Sequence, residues 1–365
     1  MCKSVQLQTA TMGGVAVPSD DELRKMHAGQ YVLRACRGAI SRVPVEKVKL
    51  PGQLGEEGGA TAKSHDGTVY VGRQTIMCKS TDGGRSWTSH ERAPEPTFGF
   101  FQILGNGTLI GVSHDRPDGK FSEDSCVHVW VSKDEGRTSE QLSDIQLPTD
   151  PFAKYLLLGL YLMSEGTLVC RVKLYGIKST GKDTLMLYRS TDSGRTWQGP
   201  HPLADWSSEG GIVATPSGTL LATLRYQREG QPGDPLPTDE RGFKHVFLAD
   251  SPDRGLTWQD LRPLTTVHGQ CYGCPVVQSD GTVVVIHDTR YGPGHRGSRA
   301  LVSYDEGKTW ADEVYYLTYT EDRAEPSFSV VLGNDTILSI VGADTTFTGP
   351  IDLFAVRWRP VKDKN

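Results

Sequence analysis

The sequence predicts an all-β fold: six four-stranded sheets arranged as the blades of one six-bladed β-propeller. Three observations predict it. A turn motif of the form S-x-D-x-G-x-T-W recurs five times, as STDGGRSW (80–87), SKDEGRTS (132–139), STDSGRTW (190–197), SPDRGLTW (251–258) and SYDEGKTW (303–310). A second signal, a tight turn between apolar runs, recurs six times in step with the first. The motif starts are 52, 58, 61 and 52 residues apart, a regular period of the kind that marks supersecondary units stacked on their neighbours.

Taken in chain order, residues 1–50 form an extension, with a helix expected at DDELRKMH (20–27) and a strand at QYVLRAC (30–36) that would help close the ring. Residues 51–365 form the propeller, and the whole is one domain. The hairpin turns fall at Asp66-Gly67-Thr68, Asn106-Gly107-Thr108, Glu165-Gly166-Thr167, Ser217-Gly218-Thr219, Asp280-Gly281-Thr282 and Asn334-Asp335-Thr336. Each joins the first and second strands of a blade. The S-x-D motif follows the third strand: Asp accepts backbone N–H bonds, Gly takes a positive φ, and Trp packs on the neighbouring sheet. The sixth unit has no such motif in LFAVRWRPV (353–361).

Composition bounds the function classes. The chain has 365 residues, 37% of them hydrophobic, and a net charge of −5, so bulk charge gives no sign of nucleic-acid binding. No apolar run reaches the roughly 18 residues that span a bilayer. The opening residues lack a secretory pattern, so the chain as given is expected in the cytoplasm. Seven scattered cysteines do not read as a disulfide framework, and the lone C-x-x-C of Cys271 and Cys274 reads as packed thiols. No metal-ligand spacing and no phosphate-binding glycine loop appear, and no cofactor is implied.

Alternating strand direction puts the hairpin turns and the S-x-D turns on one face. The opposite face carries the starts of first strands and the ends of second strands, and chemistry is expected there. Counting back from the turns places Glu57, Glu209 and Glu325 at one level, with Tyr272 at that level in blade 5. Counting forward gives Arg73, His114 and Asp115, Arg171, Arg225, and His287 and Asp288; the following loop adds Arg290, Arg296 and Arg299. A rim mixing Glu, His and Arg suits glycoside hydrolysis. One carboxyl group protonates the leaving oxygen while another acts as nucleophile or base, and Arg and His hold hydroxyls or an acidic substituent.

The S-x-D motif resembles the Asp-box, or BNR, repeat of the sialidase superfamily, and the fit can be followed residue by residue. SEGGIVATPSGTLLATLR puts Glu209 and Arg225 in the slots of the family's activating Glu and one of its arginines, and Arg296, in HRGSRALVSYDEGKTW, fits a second arginine, with Arg299 as the alternative for that slot. The resemblance implies that these arginines grip an acidic sugar. Two positions depart from the family. The first-blade Arg-Ile-Pro motif is absent, with Glu57 near its slot, and AEPSFSV puts Glu325 or Pro326 where a tyrosine nucleophile is expected. An anionic Glu57 would repel a sialic-acid carboxylate.

The leading expectation is therefore an exo-acting, sialidase-like glycoside hydrolase on a non-sialic or atypical acidic sugar, with a glycan or oligosaccharide as partner. Glu209 and Glu325 come first among its carboxylates, with Glu57, Asp115 and Asp288 as the other candidates. Arg225, Arg296, Arg171, His114, His287, Tyr272 and Arg73 would bind substrate. Two alternatives stand beside it: a polysaccharide lyase using His114, His287 or Tyr272 as base, and a glycan-binding propeller without catalysis. The insertion YQREGQPGDPLPTDERGFKH (226–245) lies on the site face, where it would narrow the pocket.

Overall fold

The computed structural model describes residues 15–51, 60–73, 75–93, 99–114, 126–148, 154–177, 182–205, 209–228, 243–265, 269–290, 295–320, 327–343 and 352–362. The strands assemble into six antiparallel sheets, each built on a run of consecutive strands. Blade 1 comprises Ala60–Lys63, Val69–Arg73, Ile76–Ser80 and Thr88–Glu91, and blade 2 Phe100–Ile103, Leu109–His114, Cys126–Ser132 and Glu140–Gln146. Blade 3 runs Lys154–Leu162, Leu168–Ile177, Lys182–Ser190 and Gln198–Ala204, and blade 4 Ile212–Ala214, Leu220–Arg228, Phe243–Ser251 and Gln259–Pro263.

The last two blades recruit the N-terminal segment. Blade 5 (Gln270–Val277, Val283–Thr289, Gly297–Ser303, Glu313–Tyr316) is extended to six strands by Tyr31–Cys36 and Ala39–Pro44. Blade 6 supplies only Phe328–Val331, Ile337–Ala343 and Asp352–Trp358; its outer strand is Glu46–Lys49, paired so that Phe354 faces Lys49 and Arg357 faces Glu46. The strand at 31–36 thus widens blade 5, and ring closure falls to residues 46–49. This accounts for the missing sixth motif: the outer strand of blade 6 comes from residues 46–49, so no turn from its third strand to a fourth is required. A helix, Asp20–Ala28, precedes these strands with a capping box in which Ser19 and Glu22 satisfy each other's backbone N–H. Its buried residues, Leu23 and Met26, join the core between blades 4 and 5.

Each S-x-D turn closes on itself. In blade 3, Ser190 Oγ donates to Asp192 Oδ1 (2.8 Å) and accepts from the Gly194 N–H (2.8 Å). Asp192 accepts from the Thr196 N–H (2.9 Å) and hydroxyl (2.6 Å), and Trp197 Nε1 donates to the Gly194 carbonyl at 3.1 Å. These bonds hold the Asp192 carboxyl down at about 2. The hairpin turns form where the sequence places them, and in blade 6 Asp335 takes the left-handed φ of 60° that glycine takes elsewhere. Apolar clusters lie between successive blades, for example Val112, Val127 and Ile145 of blade 2 against Leu157, Leu168 and Val172 of blade 3. No helix among the described residues is long and apolar enough to cross a membrane.

Candidate functional site

Glu209 sits just before the inner strand of blade 4, on the face opposite the S-x-D turns. Its carbonyl accepts from the Arg225 N–H at 2.8 Å, extending the ladder by one step, and its side chain accepts from Arg225 Nη1 at 2.5 Å. The side chains of Glu209 and Arg225 are 24% and 15% exposed, so the pair reaches the surface while most of it is enclosed.

The adjacent glycines explain how this carboxylate comes to lie beside blade 5. A Cβ on Gly210, whose φ is +145°, would stand 2.1 Å from the Thr223 carbonyl oxygen, and one on Gly211 2.4 Å from Pro275 Cδ. No side chain fits at either position. Thr223, fully buried, accepts from the Gly211 N–H (2.7 Å) and donates to the Gly273 carbonyl (2.5 Å), stitching the two blades together.

Arg171 lies beneath this segment. It is completely buried and donates to the carbonyls of Gly211 (3.4 Å) and Thr223 (3.2 Å), while Tyr161 Oη donates to the Gly210 carbonyl at 2.7 Å. The expectation that Arg171 binds substrate is corrected: its burial makes it a positioning residue that holds the backbone under Glu209. Tyr272 is also buried, 7% exposed, at a strained φ of +32° within a β-bulge between Cys271 and Cys274. Burial, with Tyr161 nearby, pushes its hydroxyl well above the usual range.

Blade 5 contributes a second acid–base pair. Asp288, with no exposed surface, is ion-paired to Arg290, whose side chain is 20% exposed. Burial pushes the Asp288 carboxyl upward, Arg290 opposes the shift, and the negative charge of Glu209 adds to it. Burial also works against the Arg290 charge, but Asp288, Cys271 and Glu209 outweigh it and raise its pKa. Lys244 belongs to the same field: burial lowers its pKa, and Arg225 lowers it further. Asp288, expected as a candidate catalytic carboxylate on the rim, is thus an interior anchor for Arg290 with no exposed surface of its own.

His287, the neighbour of Asp288, points to the other side of the strand. It pairs across the ladder with Arg299, is 1% exposed, has no hydrogen-bond partner at Nδ1 among the described residues, and burial beside Arg299 lowers it to about 3. It is a neutral interior histidine and does not line the rim, contrary to expectation. Arg299 is drawn inward as well, donating to the His295 carbonyl and lying 5.0 Å over the Tyr316 ring. Arg296 forms an isolated bridge with Thr320 at the site-face end of the third strand. Its neighbour His295 docks on the N-terminal segment through Asp20 (2.6 Å) and the Pro18 carbonyl (2.8 Å). Arg73 and His114 end their strands as expected, with side chains outside the described residues, where Glu57, Asp115 and Glu325 also lie. So does most of the blade 4 insertion, residues 229–242.

The structure therefore unites Glu209, Arg225, Asp288 and Arg290 and adds four groups that sequence reasoning missed: Tyr161, Thr223, Lys244 and Cys271. The Gly-Gly after Glu209 was the one visible signal of the close packing. Cys271 and Cys274 are raised by burial to about 12 and about 11, so they stay as thiols. The central cavity, about 990 Å³, is lined by the inner strands from the turn residues His65 and Glu165 to Tyr272 and Gly211. It underlies the Glu209 segment from the turn side, away from the charged cluster.

Comparison with known proteins agrees with this architecture. The family model for a BNR repeat-like domain matches residues 117–337. The chain belongs to that family. A sialidase of Micromonospora viridifaciens is 31% identical over 121 residues, 29% of this chain and 19% of the sialidase, so the match spans about a fifth of that protein. Among solved structures, a Dyadobacter fermentans protein of unknown function superposes with a TM-score of 0.60 at 19% identity over 86% of this chain and 97% of its own. A Penicillium chrysogenum α-L-arabinanase, solved with arabinobiose, gives 0.59 at 13% identity over the same shares. These solved structures share the propeller fold that the repeats predict.

Proposed function

We propose that this BNR-repeat propeller is an exo-acting glycoside hydrolase on a non-sialic or atypical acidic sugar, with Glu209 as a catalytic carboxylate. One observation carries the reading: on the face opposite the S-x-D turns, a partly exposed Glu209–Arg225 pair stands beside the Asp288–Arg290 pair. A carboxylate that accepts from a guanidinium acts as an anion, which suits the nucleophile or base of a two-carboxylate reaction. Glu325, at the matching level of blade 6 by sequence count, is assigned as its partner. In a retaining reaction Glu209 would attack the anomeric carbon as the glycosidic C–O bond breaks, and the partner carboxyl would protonate the leaving oxygen. Water would then cleave the glycosyl–enzyme bond. Separation of the two carboxyl groups by about 5 Å favours this route, and about 6.5–9.5 Å favours inversion.

Arg225 and Arg290 offer directional donors for hydroxyls or an acidic substituent. A sialic-acid carboxylate is disfavoured by Glu57 near the family's first arginine slot. The arabinanase solved with arabinobiose supports testing pentose glycosides first. The experiment is a panel of chromogenic glycosides, α-L-arabinofuranosides and a sialoside among them, with Glu209→Gln as control. Release from a non-sialic glycoside, abolished in the variant, is expected. Sialoside turnover would overturn the choice of sugar, and saturable glycan binding without release would overturn the catalytic reading.

A further inference from the structure

A second constellation lies on the outer strands of blade 2, in a different part of the ring from the blade 4–5 cluster. Cys126 and His128 are two residues apart on the third strand and so share a face. Asp144 is the direct cross-strand partner of His128 on the fourth strand. Their donor atoms lie within 4.8 Å of one another. Cys126 Sγ is 3.6 Å from His128 Nδ1, and Asp144 Oδ1 is 2.6 Å from the same nitrogen. The Gln141 amide nitrogen approaches as well, 2.7 Å from Asp144 Oδ1 and 3.2 Å from His128 Nδ1.

This convergence is unusual for ordinary polar packing. A thiol, a carboxylate and an amide all address one imidazole nitrogen, which makes a single in-plane hydrogen bond. It is also not a nucleophile relay, because there the thiol and the carboxylate take different ring nitrogens, whereas here both face Nδ1. A cation held among the three donors satisfies them together. We propose that Cys126, His128 and Asp144 form a binding site for a borderline-soft divalent metal, zinc being the natural occupant.

The donor set excludes the hard cations: calcium and magnesium take oxygen ligands, whereas thiolate with imidazole selects zinc and its neighbours. The distances agree. Tetrahedral zinc with sulfur at ~2.3 Å and nitrogen at ~2.0 Å sets the two about 3.5 Å apart, against 3.6 Å here. The nitrogen–oxygen gap has to open by about 0.7 Å to the tetrahedral value, within reach of an Asp144 side chain that is 34% exposed. The fourth position falls to water or, after the amide turns over, to Gln141 Oε1. Binding releases the Cys126 thiol proton to solvent, so affinity rises with pH. Sequence reading found no metal spacing because the third ligand is brought in by strand register, sixteen residues from His128.

The test uses the full chain, stripped with a chelator and titrated with Co²⁺ and then Zn²⁺. A near-ultraviolet thiolate-to-cobalt charge-transfer band that Zn²⁺ displaces is expected, saturating at one equivalent. Cys126→Ser should abolish the band, and Asp144→Asn should weaken Zn²⁺ affinity by more than the roughly 10–100-fold that losing an outer-shell partner costs. Asp144 lies on a half-exposed outer strand, so that variant keeps the test valid if Cys126→Ser does not fold. Absence of the band, or a band unchanged in Cys126→Ser and an affinity unchanged in Asp144→Asn, overturns the proposal.

Discussion

The two faces of this propeller are built on opposite principles. On the turn face, each S-x-D motif closes through bonds between residues at most four apart, as in the Ser190–Asp192–Gly194–Thr196 set. On the other face, the Glu209 segment is held by Tyr161, Arg171 and Thr223 through bonds spanning 49, 52 and 50 residues. The turn face can therefore be repeated blade by blade without change. The site face exists once, because it needs three different blades to meet. Local closure gives stability that any one blade can lose, whereas long-range closure sets the position of a particular carboxylate.

The sharpest way to break this comparison is to remove a site group without touching its support. Glu209→Gln should lower kcat by about 10³-fold or more on whichever glycoside the chain hydrolyses, leaving the melting temperature nearly unchanged. Gly210→Ala is the next largest. A Cβ 2.1 Å from a backbone carbonyl forces the strand aside, so activity should fall at least about 10²-fold, with a lower denaturant midpoint. Arg171→Met should cost about 2–4 kcal/mol in urea unfolding, since two buried carbonyls each lose one charged donor, and should lower kcat although Arg171 cannot touch substrate. On the turn face, Asp192→Ala should cost about 1–2 kcal/mol and leave kcat intact. If Asp192→Ala impairs turnover as much as Arg171→Met does, the two faces are not independent.

Acid separates them more finely. The folded pKa of His287, about 3, lies below its unfolded value near 6.5. The unfolded chain then binds the extra proton, and this stability is present above pH 6.5 and lost as pH falls toward 3. The Asp192 carboxyl, also depressed, to about 2 from 3.8, holds its contribution above pH 3.8 and loses it only below. Melting temperature should decline in two stages on acidification, and His287→Gln should flatten the first stage alone.

Much of the fold was legible because the motifs that encode it are local. Asp253 and Thr257 meet across four residues, so their spacing in the sequence is their spacing in the turn. The candidate site was legible in part. Glu209 and Arg225 were found by counting from the hairpin turn, because the strand ladder keeps the count. His287 and Asp288 were also placed at the correct level, but counting gives the level and not the side, and both proved interior. Lys244 and Cys271 carried no signal, since each matters through charges that the fold gathers from both blade 4 and blade 5.

By itself, the sequence determined the number of blades and the position of each turn, because repeats and alternation are properties of one strand or one turn. Only the tertiary structure decided that residues 46–49 close the ring and that Arg171 supports Glu209 from below. It alone brought Asp144 to Cys126 and His128. The physical reason is the same in all three. Register between distant strands depends on how whole sheets twist and pack around the axis, and no local pattern of residues records that.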